Sequence, residues 1–344
     1  MNTSGLARPA FAETYAVAGR FICVECRDAD SARLFRRHFE GWHVTPLPDA
    51  GGSVCDVTIA AAYGAEPPAP PRGFDAFETA GGGLCHTDGR TYFFESDGSA
   101  VRVAADRRRR VEVWVGASRA SREPAALARL VFNASMTAMR RCGLFELHGA
   151  GLVEPLTGAG FLFVGPSGSG KSTLATQLAS AGWKYLSDDS LLLYVHGGQV
   201  EATALRRAFA VTEPTIAAGV LRGFEGLLTR PAAFDPLKRR FEPGAVFPER
   251  FAESCAPHFL FFPTITREPS SRARPLSQAE TMGRLIRMCP WACYDRPAAN
   301  AHLAVLALLA RQAAGFELRA GRDLLGDAEY TSDLMRGLAK GEGR

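Results

Sequence analysis

Apolar and polar positions alternate in short runs over the first 120 residues, a period of two that predicts strands rather than helices. Strands are expected over 16–26, 54–60, 74–79, 91–95, 100–104 and 111–115, with Asp88-Gly89 and Asp97-Gly98 as hairpin turns. A single helix with its basic residues outside interrupts them at 31–39, and Pro67-Pro68-Ala69-Pro70-Pro71 is a stiff break. At 123 the period changes. Leu127, Leu130, Val131, Ala134 and Ala138 share one face of a helix over 123–141, and Gly143 ends it.

Two apolar runs follow, 144–153 and 161–164, joined by the turn Thr157-Gly158-Ala159-Gly160. They predict an antiparallel hairpin. A helix over 174–180 stops at Gly182, and a strand over 183–186 ends at Ser187-Asp188-Asp189. Runs 191–195 and 199–205 form a second hairpin about Gly197-Gly198, and 221–246 reads as irregular. A buried strand is expected at 258–262. Ser277 and Glu280 form a capping box opening a helix through Met288, and Asn300 caps a helix through Ala313. A strand over 315–318 and a helix over 331–339 close the chain, which contains no internal repeat. The pattern predicts an α/β (α+β) protein of two domains: a β-rich N-terminal domain over 1–120, assigned to substrate recognition, and a mixed-sheet nucleotide-binding domain over 121–344.

The chemistry concentrates in one stretch. Gly165-Pro166-Ser167-Gly168-Ser169-Gly170-Lys171-Ser172-Thr173 satisfies G-x-x-x-x-G-K-[ST], the Walker A phosphate-binding loop, between a predicted strand and a predicted helix. Glycines let backbone N–H groups turn inward toward phosphate oxygens, and the helix N-terminus adds partial positive charge there. Lys171 would reach the β- and γ-phosphates of ATP, and the Ser172 hydroxyl would hold Mg²⁺. An antiparallel pair entering the loop points away from the parallel βαβ opening of ordinary nucleotide folds.

Asp188 and Asp189 end a strand seventeen positions after Lys171. Phosphoryl transfer needs a held nucleophile as well as neutralised phosphates. One carboxylate could take the proton of an incoming hydroxyl while the other holds the metal. Pairing of the first hairpin would bring His148 close to the phosphates.

Composition narrows the classes. With 344 residues, 47% hydrophobic and 22% charged, the chain is ordinary globular material, and a net charge of +4 is too mild to indicate nucleic acid. The basic run Arg107–Arg110 reads as a solvated hairpin turn. No run approaches the roughly eighteen apolar residues of a membrane span, and the first residues lack a secretory pattern, so a cytoplasmic protein is expected. The eight cysteines, including Cys23-x-x-Cys26 on a predicted strand, are expected as buried free thiols rather than metal ligands.

The string Leu147-His148-Gly149-Ala150-Gly151-Leu152-Val153, then the loop, then Ala181-Gly182-Trp183-Lys184-Tyr185-Leu186-Ser187-Asp188-Asp189 resembles the HPr kinase/phosphorylase family. It is most similar to the HPr-kinase-related serine kinases found beside bacterial peptide-modification genes. The resemblance is tight over 144–205, loose over 206–338 and absent before 123. It implies a fold like that of phosphoenolpyruvate carboxykinase and an ATP- and Mg²⁺-dependent kinase acting on a serine or other hydroxyl of a protein, peptide or small molecule. It also implies Lys171 and Ser172 as ATP and Mg²⁺ ligands, Asp188 as catalytic base, Asp189 as a metal contact, His148 as a phosphate neighbour, and assembly as a homo-oligomer. The family's glycine-rich signature downstream, with its metal-binding Glu, has no copy beyond the weak echo Leu221–Gly226, which points away from HPr as acceptor. Lys238, Arg239 and Arg240 form a candidate phosphate clamp, with Arg206-Arg207 a weaker one. Two other classes use such a loop: a transporter or motor ATPase, against which stands the lack of an LSGGQ-like signature, and a non-catalytic nucleotide-binding regulator.

Overall fold

A computed structural model of the chain describes residues 9–47, 55–79, 82–103, 109–118, 124–230, 237–289, 291 and 295–341. The chain forms two compact units, Met1–Phe145 with Trp291–His302, and Glu146–Pro290 with Leu303–Arg344.

The first unit is built on strands β1 (Phe11–Val17), β2 (Arg20–Cys26), β3 (Thr45–Leu47), β4 (Val57–Tyr63), β5 (Asp75–Glu78), β6 (Leu84–Thr87), β7 (Tyr92–Ser96), β8 (Ser99–Val103) and β9 (Arg110–Val115). They make one sheet in the order β3-β1-β2-β4-β9-β8-β7-β6-β5. Pairing is parallel for β2 with β4 and β4 with β9, and antiparallel elsewhere. Helices α1 (Ala29–Glu40) and α2 (Pro124–Arg141) cover central strands. Alternation explains β2, where Ile22, Val24 and Cys26 are buried.

Three expectations for this part are corrected. The run at 16–26 is not one strand, because Ala18-Gly19, both at positive φ, turn β1 into β2. The boundary falls at Phe145 rather than 120, because α2 lays Leu130, Val131, Ala134 and Ala138 onto the first sheet. Cys23 is bridged to Cys55, with Cα atoms 5.9 Å apart. The bridge joins residues 32 positions apart in sequence, a tertiary fact no local pattern reveals. Cys26, Cys142 and Cys255 are buried thiols, as expected, with burial pushing each up to about 12. Arg107 and Arg108 of the basic run, and Cys293, lie outside the described residues.

Arg296 opens a later helix at Arg296–Gln312, so Asn300 lies inside it rather than capping it. Pro297 suits a first helical turn, and the buried Asp295 accepts the Ala298 N–H and pairs with Arg141.

The second unit continues through β10 (Phe145–Val153), β11 (Gly160–Val164), α3 (Lys171–Ser180), β12 (Lys184–Ser187), β13 (Ser190–His196), β14 (Gln199–Ala204), β15 (Phe209–Thr212) and α4 (Glu213–Ala217). Then come β16 (Lys238–Phe241), α5 (Pro243–Val246), β17 (Ser254–Cys255), β18 (Pro257–Ile265), β19 (Arg272–Leu276), α6 (Gln278–Ile286), α7 (Arg296–Gln312), β20 (Ala314–Ala320) and α8 (Ala328–Lys340). Its main sheet runs β17-β14-β13-β10-β11-β18-β20-β19, with β12 also paired to β10. The expected hairpin is present: β10 and β11 are antiparallel, with Gly149 opposite Val164. Strand β11 then pairs in parallel with β18, and β18 with β20, so the sheet is mixed. The capping box of Ser277 and Glu280 is formed. Within the stretch expected to be irregular, β16 pairs with β15 as a separate two-stranded ribbon.

An aromatic stack fills the core under the loop helix. Phe161 and Phe163 of β11, Phe261 of β18 and Phe316 of β20 lie ring to ring at 5.2–5.9 Å. Trp183 meets Phe161 edge-on at 4.8 Å, and its indole N–H donates to Ser332 of α8 at 2.9 Å. Truncating it would leave a large cavity and an unpaired Ser332. Trp183→Ala should lower the stability of the second unit by about 3–5 kcal/mol in urea denaturation; a loss under about 1 kcal/mol would contradict this packing.

Candidate active site

Two successive antiparallel steps, β11 to β10 and β10 to β12, make β12 run parallel to β11. The carboxyl ends of β11 and β12 therefore reach the same edge of the sheet. The phosphate-binding loop leaves the first and Asp188-Asp189 leave the second. The acidic strand is thus one strand removed from the loop strand, not beside it, and β10 between them carries His148. The Gly149 N–H donates to the Asp189 carbonyl at 2.9 Å, tying β10 to the acidic turn. At the far end of the hairpin, Glu154 accepts from the Leu156 and Thr157 N–H groups and from Arg336 of α8, which fixes its turn.

The loop has the backbone its sequence demands. Gly168 and Gly170 sit at positive φ, 81° and 100°, and Gly170 is the N-cap of α3 with no side chain to cap the helix. A Cβ at Gly165 would fall 2.9 Å from Ser169 Oγ, so the loop packs closely against itself there. Ser167 is exposed, and Ser169 is buried with its hydroxyl unpartnered among the described residues. Unsatisfied N–H groups at a helix start and an orphaned hydroxyl suit an oxyanion. Thr173 bonds Thr215 of α4 through their hydroxyls at 2.8 Å.

Lys171 points inward and is only 4% exposed. Its ammonium donates to the carbonyls of Gly165 at 2.8 Å and Pro166 at 2.9 Å, and lies 3.0 Å from His148 Nε2. Burial lowers its pKa to about 8, so it is still mainly cationic at neutral pH. On the other side of the ring, His148 Nδ1 is 3.3 Å from Asp189 Oδ1. Burial lowers the imidazole pKa, and the charges of Lys171, Lys238 and Arg206 add to it against Asp189. A neutral imidazole between an ammonium and a carboxylate has one consistent tautomer: Nε2 accepts from Lys171 and Nδ1–H donates to Asp189.

Asp188 is placed differently from its neighbour. It is 1% exposed. Its Oδ2 accepts the Ala210 N–H of β15 at 3.0 Å, the Ser172 hydroxyl lies beside the carboxylate, and Oδ1 has no well-formed hydrogen bond among the described residues. Burial, reinforced by Asp189, raises its pKa to about 6.

The basic triplet separates. Lys238 acts electrostatically on His148, Lys171 and Asp188. Arg239, on the opposite face of β16, donates instead to the Thr229 and Leu228 carbonyls at 3.1 and 3.3 Å. Arg240 pairs with Ala210 along the ribbon. Sequence reasoning missed the β15–β16 ribbon that anchors Asp188 and presents Lys238. The alternation in Phe209-Ala210-Val211-Thr212, with Phe209 and Val211 buried, was the available signal. Among the described residues no group of three or more His, Cys, Asp or Glu side chains could hold a metal ion on its own. No helix there is long and apolar enough to cross a membrane.

No family model matches the chain. No curated protein matches it either. Among solved structures it is similar to that of the Hpr(Ser) kinase/phosphatase from Coxiella burnetii, with a TM-score of 0.30 and 14% identity over 58% of this chain and 93% of that one.

Asp188 links the site to stability. Between about pH 4 and 6 the unfolded chain has released a proton that the folded chain still holds. Stability therefore falls as pH rises through that window, by up to about 3 kcal/mol. Asp188→Asn should remove this component, so the variant's stability relative to wild type should rise from pH 4 to 7 in denaturation curves. Parallel curves would contradict the raised pKa.

Proposed function

We propose that the second unit is an ATP- and Mg²⁺-dependent kinase that transfers a phosphoryl group to a hydroxyl of a protein, peptide or small molecule. The observation that carries this reading is the chain Lys171–His148–Asp189 beside a second, buried carboxylate with a raised pKa, at the mouth of a phosphate-binding loop.

Two adjacent carboxylates in unlike surroundings suit two roles. Asp188, with a pKa of about 6 and a spare Oδ1, is suited to accept the proton of the incoming hydroxyl near neutral pH. Asp189, more open and paired to His148, is the candidate metal contact together with Ser172. When bound, Mg²⁺ would neutralise phosphate charge. Gly165, Ser167, Gly168, Ser169, Gly170 and Thr173 make the phosphate cradle. Lys171 is held desolvated and cationic for the phosphate oxygens, and His148 fixes its position through Nε2. Lys238 adds positive charge where negative charge gathers in transfer, while Arg239 is committed to the backbone. The first unit, which carries none of these residues, is assigned to acceptor selection.

Three variants test this reading. Lys171→Ala should abolish detectable Mg-ATP binding in calorimetry. Asp188→Asn should keep ATP affinity within about threefold and lower phosphate release or transfer by at least about 10²-fold. Lys238→Ala should lower turnover by roughly tenfold or more, and Arg239→Ala should leave it near wild type. Wild-type turnover in Asp188→Asn would overturn the proton-acceptor role.

A further inference from the structure

The β15–β16 ribbon is a sheet of its own, so among the described residues no strand ladder ties it to β11 or β12. Phe209 and Val211 bury against the core of the second unit. Apolar burial is non-directional, and polar contacts must therefore set where the ribbon stands along the site. Lys238 depends on that placement. It is the first residue of β16, and its charge bears on His148, Lys171 and Asp188.

Two polar ties hold the ribbon. One is the Ala210 N–H donated to Asp188 at 3.0 Å. The other runs through Thr215 of α4, which is 2% exposed. Its hydroxyl lies 2.8 Å from that of Thr173 on the loop helix and 3.3 Å from that of Thr212, the last residue of β15. A threonine hydroxyl has one proton to give and lone pairs to accept with, so Thr215 can donate to one neighbour while accepting from the other. A buried hydroxyl stripped of such partners is costly, which favours keeping both links. Thr212 is the register partner of Lys238. Side chains paired in that way leave the ribbon on one face with Cβ atoms about 5 Å apart. Contacts thus run from Thr173 through Thr215 and Thr212 to Lys238, and they carry the position of the phosphate loop to the ammonium.

We infer that Thr215 is a positioning residue, registering the ribbon so that Lys238 stands at a set distance from phosphates on the loop. The inference rests on the kinase reading above. Thr215 acts through Thr212 and Lys238 rather than on the phosphates themselves. Misplacing a charged group by about 1 Å can cost up to about 10²-fold in rate, so the loss of this hydroxyl belongs in turnover rather than in nucleotide affinity.

Phosphate release from Mg-ATP by the full chain, with water taking the acceptor's place and ADP leaving, tests it alongside Mg-ATP calorimetry. Thr215→Val keeps the shape and removes the hydroxyl. It should lower kcat roughly five- to tenfold and leave Mg-ATP affinity within about threefold. Thr215→Ser keeps the hydroxyl and should hold kcat within about twofold of wild type. The decisive comparison is made in the Lys238→Ala background, where Thr215→Val should cost less than about twofold more, because its effect runs through Lys238. Losses that multiply, wild-type kcat in Thr215→Val, a fall confined to Mg-ATP affinity, or Thr215→Ser as slow as Thr215→Val overturns the positioning role and leaves the kinase reading standing. If Thr215→Val does not fold, Thr212→Val breaks the same path one link on, and its cycle with Lys238→Ala decides. Wild type that releases no phosphate above a Lys171→Ala blank overturns the kinase reading itself and this inference with it.

Discussion

A buried ammonium group cannot be left without partners, and Lys171 is the point around which this site is arranged. Removing a cation from water costs several kcal/mol unless hydrogen bonds and opposite charge replace the lost hydration. Here two loop carbonyls and an imidazole nitrogen do so, and Asp188 and Asp189 supply the opposing charge. Each partner imposes a constraint. The carbonyls of Gly165 and Pro166 require the loop to wrap around the ammonium. The imidazole requires a strand beside the loop strand, running the other way. The carboxylates require a third strand that ends at the same edge.

The mixed sheet meets these demands with short connections. A tight hairpin enters the loop, so His148 arrives from the immediate neighbour of β11 rather than from a distant element. Strand β12 returns on the other side of β10 and delivers both aspartates. The β15–β16 ribbon then performs two tasks, holding Asp188 through the Ala210 N–H and bringing Lys238 into range. The outcome is a cluster in which one carboxylate is kept reluctant to ionise while the other is paired with a histidine. Under the proposed kinase reading, separation of that kind would let one acidic doublet serve both proton transfer and charge neutralisation.

Much of this was legible in the chain. The loop, the hairpin before it and the Asp188-Asp189 strand all announce themselves by local pattern, because glycine turns and short apolar runs are dictated by backbone sterics. The split of the basic triplet follows from alternation once β16 is recognised as a strand, but Pro231 and Pro236 before it and the three successive cations within it hide that strand. The Cys23–Cys55 bridge and the membership of α2 and of Trp291–His302 in the first unit depend on tertiary packing, whereas the helix start at Arg296 had a local signal in Asp295 and Pro297.

The central proposal is that the Lys171–His148–Asp189 chain is the resting state of a phosphate site. Nitrogen NMR of ¹⁵N-histidine-labelled protein at pH 7, with His148 assigned by substitution, reads it directly. The expected spectrum is that of a neutral ring protonated on Nδ1 with Nε2 accepting a hydrogen bond, with a clear shift of the Nε2 signal when Mg-ATP draws Lys171 toward phosphate. An imidazolium at pH 7, a proton on Nε2, or a spectrum indifferent to saturating Mg-ATP would contradict it.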